Sequence, residues 1–255
     1  MGTGAGMVVV LAAAVLAGLG AAVVHRRVGL DLRRRHHDAG SAIFLQLGVI
    51  YAVLLAFVFS ETWSQYTLAA QAINAECSGL HASVLLAHGL DERAGERFDR
   101  SVEAYLRTVV GTEWPLMARH ESSPDALRLV ATMFDEASRI EGDSTRVSLV
   151  RTGIMAQLAT AHAQRETRLF QMDQGIPPLL WALLLAFSAV LAGFVMLSGV
   201  EFAASLGLFA ALFSAWIAAT LVMIRMLDYP FEGALALEPR DFVRTLARVS
   251  ALLAG

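Results

Sequence analysis

Residues 42–66, AIFLQLGVIYAVLLAFVFSETWSQY, restrict the possible folds more than any other stretch. From Ala42 to Phe59 the side chains are almost all apolar. The run is close to the roughly 20 residues that a helix needs to cross a hydrocarbon core. No turn signal closes it. Ser60, Glu61, Trp63, Ser64, Gln65 and Tyr66 follow, and helical patterning resumes through TLAAQAINAECSGLHASVLLAHGL. One helix is therefore expected to leave the membrane and continue into water, with Trp63 and Tyr66 at the interface where amphipathic rings settle.

Composition points the same way. The 255-residue chain is 56% hydrophobic and only 17% charged, which implies several membrane spans rather than a soluble domain. A net charge of -3 gives no reason to expect a nucleic-acid partner. Cys77 is the single cysteine, so no intrachain disulfide framework exists.

Met7 to Val24 forms the first apolar run. A signal peptide is the competing reading, but MGTGAG carries no positive side chain and no small-residue cleavage site precedes the charges. A retained span is expected, with Gly18 and Gly20 allowing close helix contact. The connection that follows holds Arg26, Arg27, Arg33, Arg34 and Arg35. Short arginine-rich loops stay cytoplasmic. Residues 25–38 are thus expected inside, with the N-terminus and residues 61–176 outside the cytoplasm.

The polar region reads as helical throughout. Asp91 is a candidate cap for a helix bearing Phe98, Val102, Leu106 and Val109 on one face, with a break expected around Gly111 to Pro115. Ser123-Pro124 signals a second start, and Asp143 or Ser144 a third, before Val147, Val150, Ile154, Leu158 and Ala161. Segments of this kind pack as a bundle. Ile176-Pro177-Pro178 bends the chain at the membrane surface before two further spans, whose short link SGVEFAAS makes them a hairpin.

The expected fold is therefore all-α and integral to the membrane. It comprises a hairpin over 1–60 (spans 7–24 and 42–60), a helical bundle over 61–176, and a hairpin over 177–227 (spans 179–197 and 206–226). A turn and an amphipathic helix bearing Phe242, Leu246 and Val249 occupy 228–255.

Signatures of catalysis are missing: there is no glycine-rich phosphate loop ending in Lys, no HExxH and no CxxC. Cys77, His81 and His88 share a helical face and form a weak candidate for a soft metal; the alternative is a buried cysteine beside two polar positions. His36 and His37 are adjacent, so on a helix they point about 100° apart and cannot chelate together. Arg225 and Asp228 can pair along a helix, and Glu201 sits in the link between the last two spans. Glu61 lies where the second span leaves the lipid. In a ring of subunits it would repeat around the axis and concentrate cations; in a monomer it is a solvated helix residue.

HHDAGSAIF, YAVLLAFVFSETWSQY, EAYLRTVVGTEWPLMAR, RETRLFQMDQGIPPLLWALLL and LDYPFEG, in that order, resemble the bestrophin-like domain family of bacterial membrane proteins over nearly the whole chain. A more distant likeness to bestrophins proper implies a pentameric chloride channel with four spans and a pore lined by the second. By that likeness Leu45, Val49 and Val53 would form the narrow neck, which can gate by dewetting. Their other reading is a face toward lipid or a neighbouring helix.

Three features depart from bestrophins. Glu61 stands near a basic position of theirs. The turn at Asp228, Pro230, Phe231 and Gly233 resembles the one preceding their calcium clasp, but ALALEPRDF is too poor in carboxylates for calcium, so no such site is expected. The arginine loop also argues for the reverse orientation. A homo-oligomeric ion channel in a bacterial inner membrane is the expected function, anion-conducting by resemblance, with Glu61 as a reason for cation preference. Its partners would be its own copies, the bilayer and inorganic ions, with no cofactor. The alternative is a membrane-anchored sensor or interaction protein with an extracytoplasmic bundle.

Overall fold

The computed structural model describes residues 2–35, 37–88, 90, 92–142 and 144–254, with backbone only for Glu92, Arg93 and Ala94. The readings at His36, Asp91 and Asp143 lie outside the described residues. The helices are α1 (Thr3–Arg27), α2 (Leu30–Arg35), α3 (His37–Ala87), α4 (Glu92–Thr108), α5 (Trp114–Met117), α6 (Pro124–Ser138), α7 (Thr145–Asp173), α8 (Pro178–Met196), α9 (Ala203–Leu227) and α10 (Arg240–Ala254). Among the described residues there is no strand.

Two compact units emerge. The first holds residues 1–64, 175–228 and 233–235; the second holds 65–174, 229–232 and 236–255. The 51-residue α3 contributes to both without interruption, as its unbroken apolar-to-amphipathic pattern demanded.

The first unit contains the apolar runs of α1, α3, α8 and α9, each long enough to span a bilayer. Along α3, Tyr51 and Val58 are buried against Leu184 and Leu191 of α8 and Leu221 and Ile224 of α9. The Tyr51 hydroxyl is satisfied inside this apolar packing by Ser188 Oγ at 2.6 Å. α1 lies along α9, and a Cβ on Gly18 would stand 3.7 Å from the Gly207 carbonyl oxygen, so small residues permit this close approach. Arg33, almost fully buried, donates to the carbonyls of Ser198 (3.0 Å) and Val200 (3.3 Å) just beyond the end of α8. Arg34 pairs with Glu201 at 3.2 Å. The arginine-rich connection is thus partly a clamp on the α8–α9 link.

The second unit gathers the rest of α3, α4, α6, α7 and α10 around one core. Ser123 Oγ accepts from the Ala126 amide at the start of α6, and Ser144 Oγ from Val147 at the start of α7. Between Gly111 and Pro115 the chain does not break. A π-helical turn over Val109–Glu113 runs directly into α5, whose second residue is Pro115. The C-terminal helix is an integral wall of this unit: Phe242 and Val249 of α10 are fully buried, and Ser250 Oγ donates to Glu103 at 2.6 Å.

Candidate functional site

The bilayer-length part of α3 has two contrasting sides. Phe44, Leu47, Tyr51, Leu54, Leu55 and Val58 pack within the first unit. Gln46, Val49, Val53, Phe57, Ser60 and Ser64 recur at spacings of three and four and are all exposed. Leu45, Val49 and Val53 are 68%, 58% and 51% exposed, so the intramolecular packing leaves the three neck candidates uncovered. Glu61 is exposed beside the stripe, and Trp63 is 49% exposed. Gln46 was not singled out from the sequence, although an amide inside an apolar run is the signal that would have found it.

Also in the first unit, Asp228 is buried at the end of α9. Its Oδ1 accepts from the Ile176 amide at 2.8 Å, with Arg225 near enough for its charge to act on the carboxylate. Asp228 therefore fastens the entry into α8. In the second unit, Pro230 accepts from the Leu237 amide at 2.8 Å, and Phe231 packs edge-on against Trp114, with ring centroids 5.6 Å apart. Gly233 takes a φ of 84°, a left-handed backbone that glycine adopts without strain.

A charged network that sequence reading missed fills the centre of the second unit. Arg168 of α7 is completely buried and donates to Glu76 of α3 (Nε to Oε2, 2.9 Å) and to Glu113 (Nη2 to Oε1, 2.8 Å). Tyr105 of α4 donates its hydroxyl to Glu76, and Arg165 reaches the second oxygen of Glu113 at 2.6 Å. Two carboxylates thus meet two guanidinium groups. The Arg168 guanidinium also lies over Phe242 (5.2 Å to the centroid) and Trp114 (5.7 Å), which ties α10 to the cluster. Burial disfavours the Arg168 charge, yet the facing carboxylates outweigh it and raise its pKa above the ordinary value. Burial likewise keeps Tyr105 protonated well beyond its usual range.

The signal for this cluster was present as charged residues at core positions: Glu76 between Ile73 and Leu80, and Arg165 and Arg168 between Leu158 and Met172. The π-turn adds one residue to the helical turn and so helps aim Glu113 into the unit.

Cys77 and His81 line one cleft, but His88 does not. His88 lies seven residues beyond His81 and eleven beyond Cys77, about 10 Å and about 16 Å along the axis, beyond the reach of a shared ion. Among the described residues no group of three His, Cys, Asp or Glu side chains converges to hold a metal. Burial pushes the Cys77 thiol up to about 12, so the sulfur is neutral at physiological pH and a poor metal ligand.

Asp99 of α4 is buried, its Oδ1 has no hydrogen-bond partner, and burial raises its pKa to about 6 against the pull of the His88 charge. A folded-state pKa above the unfolded value means that Asp99 costs nothing below about pH 4 and destabilises increasingly as pH rises through 6. Asp99→Asn removes that dependence. Between pH 4 and 7.5 the stability difference should move in favour of the variant by on the order of 2–3 kcal/mol, read from paired denaturation curves.

Comparison with known proteins decides the family. The sequence profile of the Bestrophin-like domain matches residues 11–242. The chain belongs to the bestrophin-like domain family. No curated protein matches it by sequence. Crystal structures of a bacterial Bestrophin homolog from Klebsiella pneumoniae share its fold. One, a point variant, gives a TM-score of 0.70 at 15% identity, covering 96% of this chain and 98% of that one. Another, phased on zinc, gives 0.71 at 14%, covering 97% and 98%. The bestrophin-like chain is thus an integral membrane protein whose spans and helical insertion follow a known architecture.

Proposed function

We propose that this bestrophin-like protein is a homo-oligomeric ion channel, five subunits by the family resemblance, in which the exposed stripe of α3 from several copies surrounds a common pore. The observation that carries the reading is Gln46, exposed in an otherwise apolar span. An amide facing acyl chains has no hydrogen-bond partner, whereas one facing an aqueous axis or an identical helix has. Ser60 and Ser64 continue the same face beyond Val49, Val53 and Phe57. The three-four spacing is the one by which identical helices pack side by side at small crossing angles.

Leu45, Val49 and Val53 form the apolar constriction, and Glu61 a ring of carboxylates at its wet end. Such a ring concentrates cations, so conduction is cation-preferring and departs from the chloride preference implied by the bestrophin resemblance. The arginine-rich connection supports a cytoplasmic location for the α1–α3 and α8–α9 links and an extracytoplasmic second unit, in a bacterial inner membrane. No chemical step on a substrate enters this function.

The test is the purified protein in detergent followed by reconstitution. A multimeric mass and ion flux into vesicles are expected, and Glu61→Gln should lower the permeability of potassium relative to chloride several-fold. A monomer, or a multimer without flux, removes the channel; the second leaves a membrane-anchored binding protein.

A further inference from the structure

We infer that the cleft between α3 and α10 is a binding site for a phosphate group, either inorganic phosphate or the phosphate of a small ester. The cavity is about 200 Å³ and lies wholly within the second unit. Its walls carry Asn74, Ser78 and His81 from one face of α3 and Asp241, Arg244 and Arg248 from the facing side of α10. These positions repeat every three or four residues, so each helix presents its polar groups to the other in register.

The chemistry selects an oxyanion. Two arginines, Arg244 and Arg248, line the space, and Asp241 is 3.6 Å from Arg244. The amide of Asn74, the hydroxyl of Ser78 and the ring of His81 add donors from the opposite wall. Donors converging from two sides suit a tetrahedral oxyanion, since a planar carboxylate is already satisfied by a single guanidinium fork. The floor adds no competing charge: Cys77 is 4% exposed and remains a neutral thiol, with the Thr245 hydroxyl against its sulfur. A water occupies about 30 Å³ of liquid, so the cleft exceeds what a bare phosphate needs and has room for a small esterified group. This assignment does not depend on the channel reading, because it concerns equilibrium binding within one subunit.

The experiment is isothermal titration of the full-length protein in detergent with inorganic phosphate, and separately with glycerol 3-phosphate, against a chloride background of matched ionic strength. Saturable binding of either at millimolar or lower concentration is expected. Binding of the ester alone identifies the phosphate as one carried on a small molecule; binding of both, with mutual competition, identifies the phosphate group itself. Arg248→Gln should weaken binding at least ten-fold, and Arg248→Lys should recover part of it. Ser78→Val tests the α3 wall independently, and thermal melting without ligand should be unchanged for Arg248→Gln because that side chain is exposed. Absence of binding above the chloride control overturns the site. So does undiminished binding in both Arg248→Gln and Ser78→Val.

Discussion

Arg168→Met should destabilise the second unit by about 3–5 kcal/mol, the range found when one member of a buried ion pair is removed. Arg168 is fully buried and serves two carboxylates at once, so its loss strands Glu76 with only the Tyr105 hydroxyl, while Glu113 keeps Arg165. The same change removes the cation held over Trp114 and Phe242, so α10 should loosen along with the core. Denaturant titration followed by far-ultraviolet circular dichroism measures the loss, and proteolysis near Arg240 reports the detachment of α10. Adding Glu76→Gln to Arg168→Met should restore part of the stability, because an amide can stay in the core without a counter-charge. If the double variant is no more stable than the single one, the cluster does not work as a coupled pair.

On the proposed pore arrangement, Val53→Cys should make ion flux blockable by a charged thiol reagent. The background is favourable, since the only native cysteine is 4% exposed and its pKa is about 12, so the unmodified protein should ignore the reagent. A bulky cation attached at an apolar constriction fills it, and flux into vesicles should fall by at least ~10-fold. Leu208→Cys serves as the comparison: it is 56% exposed on α9, and on the proposed arrangement it faces lipid, where a thiol stays protonated and unreactive. Equal modification and equal loss of flux at both positions would remove α3 from the pore.

These two experiments address different levels of the molecule. Arg168 concerns how a soluble helical unit stays assembled. Val53 concerns what several subunits would enclose on the proposed arrangement, and the stripe it belongs to is defined by what the single chain leaves uncovered. Gln46 connects the levels: it is exposed in the single chain, and on the proposed arrangement its amide faces the shared axis.

The amino-acid sequence by itself determined the features that depend on neighbours a few residues away. The four apolar runs, the continuity of α3 through Ser60 and Tyr66, and the serine caps at Ser123 and Ser144 follow from hydropathy, turn chemistry and capping. Only the tertiary structure decided the rest. Glu76 and Arg168 are 92 positions apart, and nothing local announces that they pair. Where a break was expected at Gly111 to Pro115 there is a π-turn, and Glu113 at its end pairs with Arg168, a partner that no window of local sequence contains. Cys77 and His81 were separated from His88 and joined instead to Arg244 and Arg248 once α10 folded back across α3. Local pattern fixes which segments become helices; which faces meet is set by burial and charge pairing between segments far apart in the chain.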